Sequence, residues 1–249
     1  MGLKGWLFGK GEPPGVSEAD WQTALALPIF DRLDENERSR LRALAERLVR
    51  EKTFSAAAGA EIDGAVCAAI AVQAVLPVLN LDIDSYGRWQ EIIVYPAEFV
   101  PEREEMDEIG VVHHVRHPMS GEAWEGGPVV LSWEDVAWSG LCDGYNVVIH
   151  EFAHKLDMAN GAANGLPRLH AGMRTEEWAA AFTSAYEDFC RRVDAGEETE
   201  IDPYAAENPA EFFAVLTEYF FELPEALHAA YPAVYEQMRR FFRQDPLAR

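Results

Sequence analysis

Between Leu33 and Lys52 apolar residues recur at helical spacing, with Leu41, Leu44, Ala45 and Leu48 on one face and charged residues on the other. From Ala65 to Leu79 the apolar residues run round the whole helix, which predicts a buried one. Shorter runs follow. Glu91 to Tyr95 reads as a strand, Gly110 to Val115 as a second, and Pro128-Val129-Val130-Leu131-Ser132-Trp133, bounded by glycines and acidic residues, as a third. The helical period returns over 145–158, where Asp143 or Asn146 can cap the start, Gly161 follows the end, and Val147, Val148, Phe152 and Leu156 supply a packing face. Met173 to Val193 and Leu223 to Phe242 read as further helices, and Asn208 with Pro209 provides the cap and first residue of another between them. Helices at both ends with strands between predict an α+β protein.

Punctuation along the chain suggests how it divides. Residues 1–15, ending in the Gly9 to Gly15 stretch, read as a flexible arm. A helical region over 16–95 precedes an α+β unit over 96–249, the two packing as separate domains or as one compact unit. There is no internal repeat.

Composition narrows the partners. The formal charge is −22, from 43 acidic against 21 basic residues, which opposes binding to a nucleic-acid backbone and leaves basic partners, free amino termini or plain solubility as its uses. No run reaches the roughly 18 apolar residues of a membrane span; the longest candidate, Ala65 to Leu81, contains Gln73, Pro77 and Asn80. The slightly basic, apolar start has no sustained signal-peptide core, so a cytoplasmic location is expected. Cys67, Cys142 and Cys190 are odd in number and widely spaced, the pattern of reduced thiols.

The chemistry is concentrated in His150-Glu151-Phe152-Ala153-His154. Two histidines four positions apart on a helix can reach one metal ion, with the glutamate between them beside the open coordination position. Zinc held by two imidazoles needs one more protein ligand and a water. A metzincin continuation would put Gly at 157 and His at 160, where this chain has Asp157 and Asn160. Asp157 falls on the histidine face and can ligate or, more simply, hydrogen-bond a histidine ring from behind. Glu211, at the third position of the helix after Asn208, is either a ligand or one half of a capping box; Glu218, two turns on, is a second candidate ligand. His113, His114 and His117 form a competing cluster without a recognisable completing ligand.

The stretches SGEAWEGGPVVLSWEDV (120–136), DGYNVVIHEFAHKLDMANG (143–161) and IDPYAAENPAEFFAVLTEYFF (201–221) resemble the Mlc titration factor A family of bacterial zinc metallopeptidases, and the likeness spans nearly the whole chain. It implies a mainly helical, zincin-like metallopeptidase fold of the gluzincin type with a small mixed sheet. The HExxH segment would sit on one helix and a glutamate ligand on a later one. It further implies one Zn²⁺ per chain held by His150, His154 and Glu211, and Glu151 as the catalytic base. Tyr204 is drawn in because this family and the related anthrax lethal factor place a tyrosine seven residues before the glutamate ligand. Thermolysin-like enzymes carry an aspartate four residues after that ligand. Val215 stands there in this chain, so its supporting contact is expected from elsewhere, with Asp157 the candidate.

In such a site the pKa of a metal-held water falls toward about 7, Glu151 accepts its proton, and the Tyr204 hydroxyl donates to the oxyanion that forms. Resemblance also implies aminopeptidase-type activity on a peptide substrate and binding to the glucose-responsive Mlc repressor. A repressor-sequestering protein with latent or secondary peptidase activity is the alternative. The strand at 128–133 is expected, again by resemblance, to border the cleft with a free edge for substrate; an interior position is its other reading.

Overall fold

The computed structural model describes residues 15–100 and 119–249, together with the backbone of 103–106 and 112–115. In chain order the elements are α1 (Glu18–Leu25), α2 (Glu35–Glu51), β1 (Thr53–Ala56), α3 (Gly64–Val75), β2 (Glu91–Tyr95), β3 (Arg103–Met106), β4 (Val112–Val115), β5 (Gly121–Ala123) and β6 (Val129–Ser132). They continue with α4 (Trp133–Trp138), α5 (Val147–Asp157), α6 (Thr175–Asp194), α7 (Pro209–Glu222), α8 (Pro224–Ala230) and α9 (Pro232–Phe242). The α+β prediction holds. The N-terminal arm before Gly15, the side chains of His113 and His114, and His117 lie outside the described residues.

Local chemistry sets most helix starts. Ser17 with Asp20, and Asp34 with Glu37, form reciprocal capping boxes on α1 and α2, and Asp63 accepts from the Val66 amide to open α3. Proline at the first position begins α7, α8 and α9, where its fixed φ and missing N–H cost nothing.

Strand order in the main sheet is β1-β2-β6-β5; β1, β2 and β6 run parallel and β5 antiparallel to β6, with Gly121 opposite Leu131 and Ala123 opposite Val129. This corrects the reading of 128–133 as the cleft strand. Both edges of β6 are paired and all four of its residues are buried, as befits an apolar run without alternation in the middle of a sheet. The outer strand is β5, whose far edge has no partner strand among the described residues.

One apolar core runs from Trp21 to Phe242 and joins the N-terminal helices to the later ones. Within it α3 and α7 are buried almost all round, and Phe152 of α5 meets Tyr86 and Trp89 edge-on at 5.0 and 5.5 Å between ring centroids. Among the described residues, no helix is long and apolar enough to cross a membrane. All three cysteines are free.

Candidate metal centre and cleft

Asn146 fixes the start of α5. Its Oδ1 accepts from the Ile149 amide at 2.9 Å, while its Nδ2 donates to Gln73 of α3 and to Glu222 of α7, each at 2.8 Å. The helix carrying the histidines is thus tied at its first turn to two buried neighbours. At the start of α7, Asn208 Oδ1 accepts from the Ala210 and Glu211 amides at 2.9 and 3.1 Å. The Glu211 side chain turns away from this cap toward α5.

There His150 Nε2, His154 Nε2 and Glu211 Oε2 converge, at 3.0 Å (His150 to Glu211), 3.3 Å (His154 to Glu211) and 3.2 Å (between the histidines). Three ligands at 2.0–2.1 Å on a tetrahedral zinc would stand roughly 3.3 Å apart, so the spacing and the neutral-imidazole-plus-carboxylate chemistry both fit that ion. This trio is the candidate metal-binding group found among the described residues. Burial opposes ionisation of Glu211, but hydrogen bonds with His150 and His154 outweigh it and hold its carboxyl well below the usual range.

Glu218 lies on the other side of His150. Its Oε1 is 2.8 Å from His150 Nδ1, and its Oε2 accepts from the Asn146 amide at 2.5 Å. A carboxylate there makes Nδ1 the donor and leaves Nε2 with its lone pair toward the trio. The hydrogen bond to a histidine expected of Asp157 is therefore made by Glu218, seven residues beyond Glu211.

Asp157 does something else. Its Oδ2 accepts from the Asn164 and Gly165 amides at 2.8 and 2.7 Å, whereas its Oδ1 and His154 Nδ1 are both buried without a hydrogen-bond partner. Gly165 is in the left-handed region at φ +78°, and a Cβ there would lie 2.5 Å from the Pro209 carbonyl oxygen. Trp178 Nε1 holds the Gly165 carbonyl at 3.0 Å. Asp157 thereby seats the loop after α5 against the first residue of α7, which sets where Glu211 begins.

Glu151 is 5% exposed, its Oε2 has no hydrogen-bond partner, and burial pushes its carboxyl above the usual value. Tyr204, on a single 3₁₀ turn at Pro203–Ala206, is 49% exposed with its ring 6.1 Å from that of His150. Partial burial and the Glu211 and Glu151 carboxylates raise its phenol pKa, so the hydroxyl keeps its proton as a donor.

A cleft passes through this group as two adjoining cavities of about 400 and 500 Å³. Both are lined by Met119, Gly121, His150, Glu151 and Tyr204. The first adds Asp143, Asp202 and Glu218, the second Glu122 and Glu211, and among the described residues neither is lined by a lysine or arginine.

The family model of the glucose-regulated metallo-peptidase M90 matches residues 12–243. The chain belongs to this family. Among curated proteins it is 40% identical to the Mlc titration factor A of Escherichia fergusonii over 98% of this chain and 93% of the relative. It is 41% identical to that of Serratia proteamaculans, over 98% and 94%, and 39% identical to that of Yersinia pestis, over 98% and 91%. Membership in the M90 family makes the chain a metallopeptidase-type protein, and the His150, His154 and Glu211 group is the donor set in it that suits zinc.

Two contributors to this candidate site escaped the sequence. Gly121 sits in a strand of three residues, too short for a periodic signal, and Lys155, the residue after His154, is 2% exposed and donates to the Trp124 and Gly127 carbonyls at 2.6 and 2.7 Å. Helical spacing would have placed Lys155 one turn from Glu151; a buried lysine gives no signal of its own.

Proposed function

We propose that this chain is a zinc-dependent peptidase of aminopeptidase type, with His150, His154 and Glu211 as metal ligands. The observation that carries the reading is the convergence of those three donor atoms beside the unpartnered Oε2 of Glu151 in a cleft. When bound, zinc would acidify a water and polarise a peptide carbonyl. Glu151 takes the proton of the attacking water and later returns it to the leaving amine. The Tyr204 hydroxyl donates to the carbonyl oxygen as it gains charge, and Glu218 holds the His150 ring in the tautomer a ligand needs. The carboxylates lining both cavities favour a substrate that brings a free ammonium end.

The test is metal analysis together with cleavage of a library of short peptides, each with a free or an acetylated amino terminus. Wild-type protein is expected to bind zinc and cleave the free set, and Glu151→Gln to keep the metal and lose cleavage. Full activity in Glu151→Gln would end this mechanism, and equal cleavage of the acetylated set would remove the aminopeptidase part alone. Replacing Tyr204 by Phe should lower turnover with metal content unchanged.

The name of the relatives supports a second role, binding of an Mlc-type repressor; the expected cytoplasmic location goes with that role. Titration of that repressor by Glu151→Gln would mark sequestration independent of hydrolysis. Its failure in that variant alone would tie regulation to cleavage.

A further inference from the structure

Glycine is a weak strand former, and inside a strand it marks a bend or a close approach of another group. Gly121 is buried in β5, its φ lies outside the left-handed region, and so its backbone does not require glycine. What requires it is Glu151. A methyl on Gly121 would lie 2.5 Å from Glu151 Oε1, 2.7 Å from Cγ and 2.8 Å from Cδ, inside the space the carboxylate occupies.

Neither backbone is free to retreat from that contact. On the strand side, Gly121 is in register with Leu131, and the Ser132 amide donates to the Ser120 carbonyl at 2.8 Å. On the helix side, Lys155, one turn beyond Glu151, binds the Trp124 and Gly127 carbonyls and so fastens the β5–β6 hairpin to α5. The yielding part is the Glu151 side chain, which can rotate about its own bonds. Gly121 also lines both cavities, so it stands where the two halves of the cleft meet.

We propose that Gly121 is a positioning residue: its bare Cα forms the seat that holds the Glu151 carboxylate at the point where substrate and water meet. This inference rests on the reading of Glu151 as the base. An added methyl takes the seat, and the carboxylate swings off the water while fold and ligands stay.

The test uses the full chain as wild type, Gly121→Ala, Glu151→Ala, the double variant and Glu151→Gln. Bound zinc, kcat and KM on the free-amino-terminus peptide library, and Tm are measured for each. For Gly121→Ala, zinc is expected unchanged, KM within about threefold, and kcat lower by about 100-fold, the scale of a 1 Å misplacement. In the Glu151→Ala background the same methyl enters vacated space, so the fall in Tm seen with Glu151 present should vanish. Wild-type kcat in Gly121→Ala would overturn the proposal, as would an equal fall in Tm in both backgrounds, since strain in the strand alone would produce that. If Gly121→Ala does not fold, rescue by Glu151→Ala supports the contact and absence of rescue refutes it. Activity in Glu151→Gln would instead remove the reading of the base, a failure the Tm cycle keeps separate.

Discussion

Glu218 gives His150 its direction, and it illustrates what a single side chain reveals only in three dimensions. His150, Glu151 and His154 were legible because helical spacing is local. Glu211 and Glu218 lie 61 and 68 positions from His150, share one helix face and are both carboxylates, so spacing alone left both open as ligands. Which one meets the two Nε2 atoms is a matter of how α7 crosses α5. Asp157 misled for the converse reason: it occupies the right helical face, yet its carboxylate bonds forward to the amides of 164–165. Glu218→Gln is expected to weaken zinc affinity by about 10–100-fold with the helical spectrum unchanged, measured by competition with a chelator. Unaltered affinity would reduce Glu218 to a cap for the first turn of α5.

At the scale of elements, long periodic helices and the apolar strand β6 could be read from the chain, while β1 and β5, four and three residues long, carried no pattern. The edge of the sheet was misassigned for that reason, because the visible run was the central strand. Lys155 is the device that attaches the unseen strand to the seen helix, and burial brings its pKa down to about 8. Lys155→Met should take the ammonium donor from the Gly127 carbonyl and leave the Trp124 carbonyl with the Gly127 amide alone, at a cost of about 1–3 kcal/mol. A lower Tm and faster proteolysis within 124–127 would report it, and a hairpin equally protected in both proteins would count against the clamp. Glu222 joins α7 to the α5 cap, and burial pushes its carboxyl up to about 7 although Asn146 donates to it. A folded-state pKa above the unfolded value means the native state holds the extra proton, so this group's contribution to stability should decline as pH rises from about 4.5 through 7. Tm measured from pH 5 to pH 8 should fall less in Glu222→Gln than in wild type.

The whole molecule places the proposed metal ligands on helices that also build the core. Residues of α5 and α7 belong to the same apolar cluster as Trp21 and Phe242, so the donors are held by packing before any ion arrives. Chelation is therefore expected to abolish cleavage while leaving a cooperative fold, unlike a small zinc domain that unfolds without metal. Zinc at about 1,000 times its Kd adds about 4 kcal/mol, which for a chain of this size is a Tm shift of about 10 °C. A loss of helical signal on chelation at room temperature would show that the ion, rather than the core, maintains the fold.

In the proposed peptidase the far edge of β5, which has no partner strand among the described residues, would also set how far a bound chain can be sensed. Three residues at about 3.4 Å each offer roughly 10 Å of backbone ladder, room for the few residues beside the bond being cut. A peptide of any length would present the same short window, with its distant sequence left unread. Such a cleft would be short-sighted, and discrimination among substrates would fall to whatever enters the two cavities that meet at Glu151.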